Sequence, residues 1–173
     1  MAWTAPRTWV NGEIETETIF NTHVRDNLLA LRPSAAIGVR ENVQSIDTSS
    51  LTGVRMDREI YDDGDYINLV TSVYNITFPK TGIYSICAWA TFAANTTGVR
   101  ELYSYVNNEV NERNRIAAVA SSAFEDTTTV FLNSIVHRTA ADYMDFRVAQ
   151  TSGGALNLTY FKAAVCLLKD LST

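Results

Sequence analysis

The sequence predicts an all-β protein: an antiparallel two-sheet sandwich preceded by a short N-terminal extended segment and helix. Three observations carry that expectation. From Ala35 onward, short runs of alternating polarity recur, the period-2 signature of strands with one face turned to a core. Turn dipeptides stand between the runs at Asp63-Gly64, Thr81-Gly82, Thr97-Gly98 and Gly153-Gly154. Composition changes at Arg32-Pro33-Ser34, ahead of which the signals are helical and irregular. The chain therefore divides into residues 1–34 and residues 35–173.

The first segment contains Trp3, Pro6, Trp9, Val10 and Gly12, large anchors without secondary-structure periodicity, and such a stretch has little reason to order itself unaided. Thr16 is placed to cap a helix running to about Leu31, with Ile19, Phe20, Val24, Leu28 and Leu31 gathered on one side and Pro33 as the stop. A helix of this length is marginal alone in water, so its apolar side needs a support, either the rest of the chain or another protein. In the run Ile83 to Phe92, Tyr84, Ile86, Ala88, Ala90 and Phe92 share one face, and Ser85, Cys87, Trp89 and Thr91 share the other. Both faces are moderately apolar, as expected of a sheet contacted on both sides. Tyr143 to Gln150 alternates more cleanly, with Met144, Phe146 and Val148 inward and Asp145 and Arg147 outward on a wet face. Leu102 to Val106, Thr128 to Val136 and Tyr160 to Leu168 read the same way. About eight strands result, enough for a sandwich.

Composition narrows the function. Apolar residues make up 46% and charged residues 19%, which supports a buried core and excludes a disordered chain. With 14 Lys and Arg against 19 Asp and Glu, the net charge is −5, which argues against a nucleic-acid binder built on a basic face. The uncharged stretch Thr81 to Val99 alternates in polarity and holds Ser85, Thr91, Asn95, Thr96 and Thr97, so no membrane insertion is expected. Met1 to Trp9 carries no basic stretch followed by an apolar run, and assembly in a cytoplasm is the expectation. Cys87 and Cys166 sit within apolar strand-like runs and read as reduced core thiols.

Catalytic chemistry finds little support. His23 and His137 lie in no nucleophile or metal motif, no zinc spacing occurs, and no phosphate-cradling glycine loop, G-x-G-x-x-G or G-x-S-x-G is present. The sequence thus predicts neither an enzyme nor a cofactor. The densest polar cluster holds Asp57, Glu59, Asp62, Asp63 and Asp65. Of these, Asp62, Asp63 and Asp65 are the candidates for calcium, but Arg55 and Arg58 lie among the acids and the spacing is not that of an EF-hand. A solvated turn around Gly64 is the preferred reading. Asn-x-Thr triplets beginning at Asn75, Asn95 and Asn157 read as loop and sheet-edge residues. Trp89, Tyr103, Tyr105 and Tyr160 could stack on sugars or fill a subunit interface, and a core or interface role is the preferred reading.

Phe78-Pro79-Lys80-Thr81-Gly82-Ile83-Tyr84, an apolar-Pro-x-x-Gly-x-Tyr turn leading into a long strand, resembles the globular head of the complement-one-q/tumour-necrosis-factor (TNF) jelly-roll family, particularly its bacterial and phage relatives. Ile60 to Tyr66 resembles the turn before that motif. Arg100 to Asn107 resembles the strand that ends in an Asn-rich hairpin. Leu132, Asp142, Phe146 and Val148 resemble the late Leu…Gly-Asp…Val pattern, with Ala141 where the family usually has glycine, and Phe161 to Leu168 resembles the closing strand. The resemblance covers roughly Ala35 to Leu168 and implies a ten-strand TNF-like jelly roll that associates as a compact homotrimer through one sheet edge and aromatic contacts near the threefold axis. It implies binding and not catalysis.

Trp9 to Thr16, followed by Phe20-Asn21-Thr22-His23-Val24-Arg25-Asp26-Asn27-Leu28, resembles the leader at the start of many tailed-phage virion proteins. That resemblance implies a virion anchor whose contacts are Trp3, Pro6, Trp9, Val10, Phe20, Val24, Arg25 and Leu28, docking into a preformed groove of another virion protein. Together the two resemblances imply a trimeric capsid-decoration or head-fibre protein exposed on a bacteriophage virion. The alternative is a tail-fibre or tail-tip protein that recognises a host surface glycan or protein through loop tips such as Thr96 to Val99 and Ser152 to Ala155.

Overall fold

The computed structural model describes residues 4, 7, 8, 10–14, 16–30, 32–120 and 126–172, and only the backbone at 29, 30 and 110–120. Trp3, Pro6, Trp9 and Leu31 lie outside the described residues. The chain divides into two compact units, Met1–Pro33 and Ser34–Thr173.

In the first unit, the Thr16 hydroxyl accepts from the Ile19 N–H at 3.3 Å and starts α1 (Glu17–Phe20). A π-helical turn, Asn21–Arg25, follows, with the Asp26 N–H bonded to the Asn21 carbonyl, and α2 (Asp26–Ala30) completes the helix. Asn27 is the one buried polar residue described in this unit. Its Oδ1 accepts from the Thr4 N–H at 2.9 Å, and its Nδ2 donates to the Thr4 carbonyl at 3.1 Å and the His23 carbonyl at 3.2 Å. The extended segment is thus fastened to the helix by an internal pairing that the absence of periodicity did not predict.

The second unit contains twelve strands among the described residues, where about eight were expected. They are β1 (Ala35–Arg40), β2 (Gln44–Ile46), β3 (Thr52–Gly53), β4 (Arg58–Asp62), β5 (Ile67–Asn68), β6 (Ser72–Thr77), β7 (Gly82–Phe92), β8 (Val99–Val106), β9 (Glu109–Ala120), β10 (Thr128–Arg138), β11 (Tyr143–Gln150) and β12 (Leu156–Asp170). β2, β3 and β5 are too short to show a period, and β9 opens with a charged stretch that does not alternate. One sheet runs β10-β7-β12-β1-β4 with β2 on β12. The other runs β5-β6-β11-β8-β9 with β3 on β11, and every pairing is antiparallel.

Between the sheets lies one apolar core. Tyr84, Ile86, Ala88, Ala90 and Phe92 of β7 are fully buried in it, as the alternation predicts. Phe146 of β11 meets Phe161 of β12 across the layers, ring centroids 5.4 Å apart. The two cysteines differ from expectation: both are free thiols, half-buried, and outside the core, because they occupy the opposite phase of β7 and β12.

The Pro-x-x-Gly-x-Tyr turn has a physical account. Gly82 is buried where a β-carbon would stand 2.6 Å from the Lys169 carbonyl oxygen, so glycine lets β7 start tight against β12. Tyr84 packs on Phe78 at 4.8 Å and donates its hydroxyl to the Lys80 carbonyl at 2.7 Å, closing the turn. Burial, reinforced by Tyr66, pushes the Tyr84 phenol up to about 12 against the opposing pull of that bond. Lys80 pairs with Asp170 at 2.7 Å and ties the turn to the end of β12.

Candidate functional site

The outward face of the first sheet is built by the residues that alternate with the core set. From β7 it presents Cys87, Trp89 and Thr91. β10 adds Phe131, Asn133 and Ile135, opposite Trp89, Cys87 and Ser85 respectively. β12 adds Tyr160, Lys162 and Ala164, opposite Thr91, Trp89 and Cys87. Trp89 lies at the centre, 6.4 Å from the Phe131 ring, with the Lys162 ammonium 4.9 Å from the indole centroid. Phe131 is 54% exposed and Ile135 is 69% exposed, so this face keeps large apolar side chains in water. The nearest polar pair, the Thr91 and Thr129 hydroxyls, satisfies itself at 2.9 Å.

Of the aromatic residues singled out in the sequence, Trp89 and Tyr160 belong to this face. Tyr103 and Tyr105 do not; they sit on β8 of the other sheet and are covered within the protomer, their rings 6.4 Å apart. Tyr103 donates to Glu101 at 2.9 Å, and the Arg147 guanidinium lies 4.2 Å from the centroid of Tyr105. Asp145, expected on a wet face, is outside the core but 6% exposed, because it lies between β6 and β8 and under Arg147 of its own strand.

The acidic cluster is a set of turn fasteners. Asp62 accepts from the Gly64 N–H at 3.0 Å and the Ile67 N–H at 2.7 Å. Asp63 accepts from the Ala35 N–H and from the Tyr61 hydroxyl, both at 2.7 Å. Asp65 takes a left-handed backbone, φ 58°, at the tip. Asp57 accepts from the Glu41 and Asn42 N–H groups. Burial raises its pKa, but those bonds and Arg40 outweigh it and hold the carboxyl below the ordinary range. Among the described residues no group of His, Cys, Asp or Glu is arranged to hold a metal. Among the described residues no helix is long and apolar enough to cross a membrane.

At the end of the sandwich holding Thr96 to Val99 and Ser152 to Ala155, two buried polar residues organise the loops, and neither stood out in the sequence. Arg100 donates to the carbonyls of Thr97 at 2.9 Å and Asn95 at 3.1 Å. Desolvation lowers the pKa of its guanidinium. Gln150 donates to Ile46 and Gly154 carbonyls and accepts from the Ser152 N–H. Gly98, φ 78°, lies where a β-carbon would collide with the Thr151 carbonyl, so the two tips are locked together. In the first unit, Val10, Phe20, Arg25 and Leu28 are exposed and Val24 is half-buried; Arg25 pairs with Asp26.

Solved structures share this architecture. The globular domain of zebrafish complement 1qA superposes with a TM-score of 0.57 at 12% identity, over 80% of this chain and 99% of that one. The fold is the C1q/TNF-like jelly roll. Murine APRIL matches with a TM-score of 0.57 at 17% identity, over 79% of this chain and 100% of its own. The PRD1 vertex protein P5 matches at 0.56 and 16%, over 80% and 97%. No family model and no curated protein sequence matches the chain. At these identities the likeness to the jelly rolls is one of fold.

Proposed function

We propose that the chain is a bacteriophage virion protein, a homotrimeric capsid decoration or short head fibre that docks through residues 1–34 and works by binding, not catalysis. The observation that carries this reading is the outward face of the first sheet, where Phe131 and Ile135 stand exposed around Trp89. Apolar side chains grouped in this way favour cover by a second surface. Full burial of such a side chain contributes about 1.5–3 kcal/mol, of which the part still exposed here remains to be gained, and closed symmetry repeats the gain in every protomer. The PRD1 vertex protein among the structures of this fold supports a place on the virion head. The helix supports the anchor, since it leaves Phe20 and Leu28 in water.

Light scattering on the full chain at micromolar concentration tests the assembly, with a threefold mass expected; a clean monomer removes the proposal. Virions produced with Trp3→Ala and Trp9→Ala together test the anchor. They are expected to lack the protein, and normal incorporation would show that attachment lies elsewhere.

A further inference from the structure

We infer that the outward face of the second sheet carries a binding site for a neutral saccharide, separate from both the loop tips and the apolar face of the first sheet. The site is a groove of about 490 Å³ between β3, β6 and β11, within the range of about 300–1,000 Å³ usual for small-molecule sites. Its floor is the backbone pairing of Gly53 with Arg147, and the Gln44 carboxamide fixes one side by donating to the Gly53 carbonyl at 2.8 Å.

Three features point to a sugar. The first is a stacking surface: Tyr74 is 46% exposed, lines the groove, and has its ring beside Gly53, about 3.4 Å from where a β-carbon would stand. Tyr143 is a second ring in the lining. The C–H face of a pyranose packs on such a surface. The second is a preorganised polar group. The Arg147 guanidinium is held over Tyr105, donates from Nε to Asp145 Oδ2 at 2.6 Å, and donates from Nη2 to Asn108 Oδ1. Asp145 is almost wholly buried, and its Oδ1 has no hydrogen-bond partner in the protein, an expensive omission unless a ligand or water supplies the donor. The third is charge. Asp145 and Arg147 cancel, and every other lining residue, including Asn75 and Asn108, is uncharged. A phosphate or a carboxylate would meet a guanidinium already committed to its own carboxylate, on a protein of net charge −5. Hydroxyl groups, which both donate and accept, suit amide, carboxylate and guanidinium together. Only Leu51 offers an aliphatic wall, too little for an apolar ligand.

The test is ligand-observed saturation-transfer NMR on the full chain. The probes are neutral oligosaccharides of glucose, galactose, mannose, rhamnose and N-acetylglucosamine, compared with oligogalacturonate and inorganic phosphate. At least one neutral saccharide is expected to bind with a millimolar Kd. Tyr74→Ala and Asn108→Gly are each expected to weaken that binding by about tenfold or more. Tyr74 is exposed, and glycine tolerates the left-handed backbone of Asn108, φ 58°, so both variants should keep the wild-type melting temperature. Thr97→Ala, at the loop tip, is expected to leave binding unchanged. Three results would overturn the site: no neutral saccharide binding, tighter binding of oligogalacturonate or phosphate, or loss of binding with Thr97→Ala but not with Tyr74→Ala.

Discussion

The two outward faces of the sandwich use the same pleated backbone in opposite ways. On the first sheet the side chains that alternate with the core include large apolar ones left in water: Phe131 and Ile135 are exposed, and Trp89 stands between Phe131 and Lys162. On the second, Tyr103 and Tyr105 are already covered, and Arg147 is stacked, paired and hydrogen-bonded within the protomer. Large aromatic residues alone therefore do not mark an interface. What distinguishes the two faces is whether the protomer covers its own rings. The first face leaves large apolar side chains for the proposed subunit contact, and the second covers its own rings beside a polar groove.

The largest effect expected follows from breaking the first face. Phe131→Asp with Ile135→Asp puts two carboxylates where an assembled neighbour would exclude water, at a cost beyond the apolar area lost. Light scattering should report a monomer that keeps its β-sheet circular dichroism. If the doubly substituted chain retains the wild-type mass, this face is not the contact. The second face should respond differently. Arg147→Ala strips the cover from Tyr105 and leaves Asp145 buried without its cation, a loss of about 3 kcal/mol. Denaturant titration should show that loss while the oligomeric mass at low denaturant stays unchanged. A change of mass with Arg147→Ala would erase the distinction between the faces.

Acid should act on the turns that join the strands and not on either face. Burial raises the pKa of Asp142, but the Asn107 side chain and the Thr139 N–H outweigh it and hold the carboxyl below the ordinary range. Burial likewise raises Asp170, and Lys80 and Ser172 outweigh it. A depressed folded-state pKa contributes stability above the unfolded value of about 3.9 and loses it as pH falls through the folded value. The melting temperature should hold on the neutral side of that value and fall below it. On the alkaline side, Tyr84 reverses the sign. Its raised pKa favours the neutral phenol in the folded chain, so stability should decline as pH rises from about 10 toward the folded value of about 12. Melting curves of the wild type and Tyr84→Phe check the alkaline part, since the variant lacks the titrating group.

How far the sequence could be read depended on what kind of interaction set each element. β7 was legible because Ile83 to Phe92 is a long uninterrupted run that sorts into two faces at period two, one of them holding Trp89, and the burial pattern follows that period. The Pro79 to Tyr84 turn was legible because its glycine and tyrosine answer to one close approach and one buried hydroxyl. β2, β3 and β5 were not, since strands of two or three residues are set by their neighbours and not by their own period. Asn27, Arg100 and Gln150 were invisible for a related reason. Each is a single polar residue whose partners are backbone groups brought near by the fold, a relation that leaves no spacing signal. The groove has the same character, drawing Gln44, Tyr74, Asn108 and Arg147 from separate stretches of chain. Asp145 read as an outward residue on a wet face, and only the contact with Arg147 shows that it is covered.

The smallest effect expected concerns Ala141, which stands where the resembling family usually has glycine. Its φ of 71° is left-handed, so the turn before β11 keeps a conformation suited to glycine without having one. The turn tolerates it because Ala141 donates its N–H to the Phe78 carbonyl at 2.8 Å and Asp142 fastens both flanks, accepting from Thr139 and Asn107. An alanine there costs roughly 1–2 kcal/mol in the folded state, partly offset because glycine has more freedom to lose on folding. Ala141→Gly should therefore stabilise the protein by about 0.5–1 kcal/mol. Since the residue is exposed and on neither face, the gain should appear in denaturant titration with no change in oligomeric mass or saccharide binding. A loss of stability would mean that this turn is held by its hydrogen bonds strongly enough for the entropy of the unfolded chain to decide the sign.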